Sequence, residues 1–287
     1  YDTIRLDNRS RVDDEVLRAT LAPLAPGALI TQAALDRSLL LLDELPGVRA
    51  QATLAPGAMV GTSRLSVQAE PAPMLAGHVS ADSAGNRYTG RVRLGAHLDI
   101  NSPLHRGDRL SLSVLSSGHG LDHGRLAYQV VLNGQGTQLG AAWSALRYRL
   151  GGPLEALDAH GTAHVGSVWL SHPFVRRADM RVDGRLQYDR KHLRHALDTA
   201  NLHTDRHTGS WTAGLAGERR DGWAGGGLIF AELSLTHGRL GFDDANAQSA
   251  DAATARTQGR YTRWNADLSR LQNVNRRARL YLSLRGE

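Results

Sequence analysis

The sequence predicts a small α+β unit followed by about eleven strands of an antiparallel transmembrane β-barrel. Three observations carry this reading. Residues 1–74 read β-α-α-β-β, whereas from residue 75 helical periodicity vanishes and period-2 runs of roughly ten residues repeat to the end. The charge divides at the same place: residues 1–75 hold 7 Arg against 9 Asp/Glu, while the remainder is net basic and holds all 13 His. The connections between the period-2 runs alternate between short and long, as they do in barrels that cross an outer membrane.

In the first unit, Ile4 and Leu6 alternate within a strand over Tyr1–Asp7. Asp13, Asp14 and Glu15 stand where acidic side chains favour a helix N-terminus, and Val16, Leu17, Leu21 and Leu24 follow at helical spacing. Thr31 is placed to cap a second helix carrying Leu35, Leu39 and Leu42, which Leu45-Pro46-Gly47 ends. Strands follow at about Val48–Leu54 and Thr62–Glu70, joined through Ala55-Pro56-Gly57. Leu17, Leu21, Leu35, Leu39 and Leu42 are the expected core.

Beyond residue 75, Val92, Leu94, Ala96, Leu98 and Ile100 share one strand face and Arg91, Arg93, Gly95, His97 and Asp99 the other. Met180, Val182, Leu186 and Tyr188 alternate in the same way with Arg181, Asp183, Arg185 and Asp189, and Leu280, Leu282 and Leu284 with Arg279 and Arg285. Gln138–Leu150 and His160–His172 alternate less cleanly and suggest bulges. Short connections are expected near 101–107, 133–137, 172–177, 220–224 and 272–277. Longer or more polar ones are expected near 117–123, 151–159, 190–207 and 238–255, and the hairpin near 84–88 is an exception. Candidate girdle aromatics are Tyr128, Tyr148, Trp169, Tyr188, Trp211 and Trp264. A soluble β-sandwich also alternates, but its core face is usually rich in Ile, Val and Phe, and only 3 Phe occur here.

Several classes fall away. No run approaches eighteen apolar residues, so no helix spans a membrane. The absence of cysteine removes disulfide scaffolds, zinc-cysteine sites and thiol nucleophiles. A net charge of +6 invites nucleic acid, but the arginines sit singly on strands rather than in a run, so no nucleic-acid partner is expected. The pairs His119/His123, His192/His195 and His203/His207 are read as solvated loop residues rather than metal ligands, and no metal or cofactor is expected. No phosphate-binding glycine loop or catalytic triad spacing occurs, so an enzyme is not expected. Tyr1-Asp2-Thr3-Ile4 runs directly into a strand with no leader before it, as expected of a segment within a longer protein.

The stretch Asp36-Arg37-Ser38-Leu39-Leu40-Leu41-Leu42-Asp43-Glu44-Leu45-Pro46-Gly47-Val48, followed by Ala52-Thr53-Leu54-Ala55-Pro56-Gly57 and Val60-Gly61-Thr62-Ser63-Arg64-Leu65-Ser66-Val67, resembles the second POTRA domain of the two-partner secretion transporters, the haemolysin and filamentous-haemagglutinin secretion/activation family. Asp82-Ser83-Ala84-Gly85-Asn86-Arg87-Tyr88-Thr89-Gly90-Arg91 resembles that family's first barrel hairpin, and Asn101-Ser102-Pro103-Leu104 with Gly107-Asp108-Arg109-Leu110 the turn and strand start beyond it. The resemblance implies a POTRA domain at 1–74 in the periplasm and the N-terminal part of an outer-membrane barrel at 75–287. It also implies a monomer in outer-membrane lipid that exports a large unfolded exoprotein, recognised through the client's N-terminal secretion domain. Family members begin with a plug helix and a first POTRA domain and complete about sixteen strands. Their Val-Arg-Gly-Tyr or Val-Arg-Gly-Phe motif does not occur here. A general outer-membrane assembly factor of the same superfamily, or a soluble β-rich binding protein, are the alternatives.

Export of this kind needs no catalytic group. The expected client-docking edge is Val48, Arg49, Ala50, Gln51, Ala52, Thr53 and Leu54, open to β-augmentation. The expected pore-lining residues are Arg91, Arg93, Arg109, Arg125, Arg181, Arg185 and Arg279, with Asp99, Asp179, Asp183 and Asp189 as cross-strand partners for most of them.

Overall fold

The computed structural model describes residues 2–200, 202–275 and 277–287; Tyr1, placed in the first strand by the sequence, lies outside them. The first unit follows the expected order: β1 (Thr3–Asn8), α1 (Asp14–Leu21), α2 (Gln32–Asp43), β2 (Val48–Pro56) and β3 (Ser63–Pro71). The Thr31 hydroxyl accepts the Ala34 N–H and caps α2 as expected. The strand order is β1-β3-β2, with β1 parallel and β2 antiparallel to the central β3.

Leu17, Leu24 and Leu42 from the helical side meet Leu65 and Val67 from β3, all fully buried. Each such side chain stabilises the unit by about 1.5–3 kcal/mol. Leu35 and Leu39 are only partly buried at the margin of this core, because α2 turns its Leu41 face toward the second sheet.

That sheet has eleven strands in strict sequence order, all antiparallel: β4 (Leu75–Asp82), β5 (Arg93–Asn101), β6 (Arg109–Ser116), β7 (Leu121–Val131), β8 (Gln138–Arg149), β9 (Ala159–Arg176), β10 (Met180–Leu197), β11 (Leu202–Asp221), β12 (Gly227–Phe242), β13 (Gly259–Asn273) and β14 (Arg279–Gly286). It is open, since β4 pairs only with β5 and β14 only with β13. Leu94, Leu98, Leu186, Leu280 and Leu282 are between 37% and 60% exposed, so no second sheet covers their face. The sandwich alternative is thereby excluded.

Three expectations need correction. Arg91 and Val92 do not begin a strand, because the connection runs from 83 to 92. There Gly85 N–H donates to the Arg91 carbonyl and Gly90 turns with φ +104°. The loop expected at 190–207 is instead a two-stranded extension, with His192 opposite His207 and Arg194 opposite Asp205. Both faces are polar there, so the hydrophobic alternation fades while the backbone ladder continues. The region after Phe242 contains a short helix, α3 (Ala245–Ala253), capped by the Asp244 carboxylate on Asn246 N–H. The predicted irregularity in the His160–His172 run falls just beyond it: a bulge leaves Phe174 without a partner, between the pairs Val182–Val175 and Asp183–Pro173.

Candidate functional site

Cross-strand register assigns every side chain of the large sheet to one of two faces. One face carries Leu94, Leu112, Leu126, Leu139, Leu170, Leu186, Leu215, Leu233, Leu268 and Leu282, all exposed. A row of rings ends this apolar band: Trp143 stacked on His164, Tyr188 against Trp211 at 5.0 Å, and Trp264. Of the expected girdle, Tyr188, Trp211 and Trp264 lie in this row, and Tyr128 lies at the opposite rim with its hydroxyl on Asp108. Tyr148 and Trp169 do not belong to it; both point to the other face, where Tyr148 bonds His195 and Trp169 is buried. Trp143 was not anticipated, although its alternation with Ala142 and Ser144 carried the signal.

The second face is polar and cross-linked. Arg93 pairs with Asp82 at 2.9 Å, Arg181 with Glu218 at 3.7 Å and Arg285 with Asp267 at 2.9 Å. Arg185 lies over the Trp169 ring at 4.6 Å and donates to Gln187, which in turn donates to Asp189. Arg109 donates to Asn101, and Arg125 shares the face through its register with Ser113 and Ser144. Arg279 sits at the rim opposite Asn273.

Of the expected lining residues, all but Arg91 are on this face. The expected carboxylate partners are largely replaced. Asp99 is held by Ser111 and His97, Asp179 by Arg177 within its turn, and Asp189 by Ser167. Asp183 is held by Arg176, outside the expected set. A trough of about 690 Å³ opens on this face among Arg181, Asp183, Glu218, Glu232, Tyr281 and Arg285.

No sequence pattern announces the contact between the two units. Three turns on one rim of the large sheet, at 102–108, 132–137 and 177–179 with the adjoining strand end, seat against α1, α2 and the segment after α2. Arg37 donates to the carbonyls of Gln135, Pro173 and Phe174. Arg176, only 9% exposed, bridges Glu44 at 3.0 Å and Asp183 at 2.6 Å. Leu41 packs where a Cβ on Gly136 would stand, and the Ala19 carbonyl closes over Gly134.

The first of these turns is strained and tightly specified. Ser102 and His105 both have positive φ, a conformation that persists only where the surroundings over-determine it. Here the buried Asp108 carboxylate accepts the N–H groups of Leu104 and Arg106, the Ser102 hydroxyl donates to the Pro46 carbonyl, and Asp13 N–H donates to the His105 carbonyl.

In the first unit, β2 is an edge strand, paired only with β3. Ala50 N–H donates to Asp43 Oδ1, so it points away from β3. Because N–H directions alternate along an antiparallel pair, those of Ala52 and Leu54 also face the open edge. Val48, at the start of the expected docking segment, is buried in the core, and Arg49 through Leu54 are open or half-open.

The members of each pair part, His192 and His195 pointing to opposite faces of β10, but His192 and His207 stand opposite one another and both approach Asp243, at 3.9 Å and 2.8 Å. Among the described residues no cluster of three metal-ligating side chains forms.

Residues 61–287 match the family of haemolysin secretion/activation proteins described as ShlB/FhaC/HecB. The chain belongs to this family. Among curated relatives of this haemolysin secretion/activation chain is the heme/hemopexin transporter protein HuxB of Haemophilus influenzae, 27% identical over 99% of the chain and 50% of the relative. The chain thus spans about half the length of the curated relatives it matches. CdiB from Escherichia coli superposes with a TM-score of 0.74 at 19% identity, over 98% of this chain and 53% of that one. CdiB from Acinetobacter baumannii gives 0.67 at 22% identity, over 94% and 48%. The fold of this secretion/activation family member is therefore similar to that of CdiB over nearly all of its length.

Proposed function

We propose that these residues form part of an outer-membrane transporter that exports a large unfolded exoprotein. The observation that carries this reading is the two-faced sheet: an apolar band bounded by aromatic rings on one side, a wet and charged surface on the other. A charged side chain facing lipid at mid-depth costs about 2–4 kcal/mol, so the polar face is the lumen. Arg93, Arg109, Arg125, Arg181, Arg185 and Arg279 then line the pore. Pairing or stacking of Arg93, Arg109, Arg181 and Arg185 within the wall keeps these four from trapping a passing chain.

Residues 1–74 act as a POTRA domain in the periplasm, and residues 75–287 as the N-terminal part of the barrel. The β-α-α-β-β order and the short turns seated on this unit support that division. The client's N-terminal secretion domain adds as a strand to the open edge of β2, at Arg49 to Leu54, where backbone groups supply affinity and the flank of α2 supplies selectivity. Export then draws its energy from client folding outside the cell, in a monomeric transporter without a cofactor. HuxB is named as a heme/hemopexin transporter, which agrees with a secreted client of that general kind.

The test is export by the intact protein with its candidate client co-expressed. Removing residues 1–74 should abolish client release into the medium while a heat-modifiable barrel still reaches the outer membrane. Undiminished release by a correctly inserted deletion protein would contradict the docking role.

A further inference from the structure

On the apolar face, positions beyond the aromatic row turn basic. Arg190 follows Tyr188 on β10, Arg239 lies two outward positions beyond Leu235 on β12, and Arg260 lies two beyond Trp264 on β13. These three share one hydrogen-bonded row: Arg190 is opposite Gly209, Gly209 opposite Arg239, and Arg239 opposite Arg260. Adjacent strands are about 4.8 Å apart, so three guanidinium groups are rooted within about 15 Å.

Like charges placed directly opposite one another destabilise a sheet, yet Arg239 and Arg260 are so placed. None of the three has a hydrogen-bond or ion-pair partner among the described residues, and all are exposed. The nearby carboxylates are already engaged, Asp205 by Arg194 and Asp243 by His207. At the opposite rim the arrangement differs: Arg270 is neutralised by Asp221 at 2.7 Å and lies over Trp223. Gly209 places no side chain between Arg190 and Arg239, and the Tyr188 hydroxyl stands there instead, 3.1 Å from where a Cβ on Gly209 would be. That hydroxyl is a neutral donor between two cations.

We propose that Arg190, Arg239 and Arg260 form an external binding site for a membrane lipid whose headgroup carries phosphate monoesters. The site rests on the membrane-spanning reading above. Rings in the interfacial layer place the residues just beyond them at headgroup level, and the arginine fork matches phosphate oxygens in pairs. A headgroup with two separated phosphates offers one to the Arg239–Arg260 pair and one to Arg190, with Tyr188 donating between them. Such a ligand removes the like-charge repulsion that the bare sheet carries.

The experiment uses the intact protein in neutral detergent, titrated with bisphosphoryl lipid A, with the same lipid after phosphate removal, and with inorganic phosphate, read by native mass spectrometry and thermal unfolding. Lipid A should bind and raise the melting temperature; the dephosphorylated lipid and free phosphate should do so far less. Each arginine at an anionic surface contributes about fivefold, so R190Q/R239Q/R260Q should weaken binding about a hundredfold. R219Q, at an outward arginine of the other rim, should leave binding unchanged. Should the triple variant fail to fold, R239Q alone decides: it should melt higher than wild type without lipid and gain less from lipid.

Equal binding of both lipid forms, free phosphate acting at the same concentration as lipid A, or a wild-type response from R239Q would each overturn the proposal. Failure to insert into bilayers of any composition would instead contradict the membrane reading on which it rests.

Discussion

Gly140 stands opposite Trp169 on the polar face, and a Cβ there would lie 2.2 Å from the indole ring. Gly140→Ala should push the ring off its seat, break the Arg185 stack and cost about 1–3 kcal/mol as an overpacked site. Gly166→Ala, with nothing within 4 Å, should be nearly silent in the same unfolding experiment. Equal effects of the two would show that the Trp169 seat is not tight.

A second residue-scale test concerns Asp251, which ends α3 and organises the following loop. Hydrogen bonding from the Thr257 hydroxyl, and then from the Gln258 and Thr257 N–H groups, holds its carboxyl below the ordinary 3.8 against the opposing effect of burial. A depressed carboxylate contributes stability that is fully present above pH 3.8 and lost as pH falls through the folded value. Hydrogen exchange at 251–258 should therefore stay slow down to about pH 4 and accelerate below it. Asp251→Asn should give fast exchange at neutral pH.

At this scale the sequence was only partly legible. Val168-Trp169-Leu170 is apolar on both faces, so alternation cannot orient the tryptophan. Tyr148 lies between Arg147 and Arg149, where the outward face has already become polar.

The edge strand β2 offers a test at the scale of an element. Ala52→Pro removes a donor that faces the open edge, whereas Gln51→Pro removes one that faces β3. Ala52→Pro should therefore lower client export with the first unit still folded, and Gln51→Pro should unfold the unit as well. Export is measured in the medium and folding by protease resistance of residues 1–74. Full export by a folded Ala52→Pro protein would remove this edge as the docking site.

The seat between the units is the other element-scale feature. Arg176→Ala leaves Glu44 and Asp183 partly hydrated, so the cost should be near that of lost charged hydrogen bonds, about 2 kcal/mol. Limited proteolysis should then open the 72–74 linker sooner, and an unchanged rate would show that the seat rests on Arg37 and Leu41 instead. In the first unit strand and helix order were legible because caps, prolines and alternation all agree. The seat was not, because it is made by backbone carbonyls in short turns, which carry no side-chain pattern.

For the molecule as a whole, the open sheet leaves one ladder of backbone groups unpaired on β4 and another on β14. Unpaired groups of this kind cost several kcal/mol each in hydrocarbon, so in a membrane each edge requires a partner strand. About eleven strands were legible from period-2 runs and turns. The polar extension of β10 and β11 was not, since its hydrophobic alternation ends while the ladder continues. The central claim is that the leucine-bearing face meets lipid and the arginine-bearing face lines a pore. The chain contains no cysteine, so single cysteines can be placed along β10 of the intact protein at Val182, Asp183, Leu186 and Gln187. In outer membranes, a membrane-impermeant thiol reagent entering through the pore should label positions 183 and 187 quickly and leave 182 and 186 unreacted, while a lipid-dissolved reagent should show the reverse. Labelling without this period of two, or with the two faces exchanged, would contradict the account.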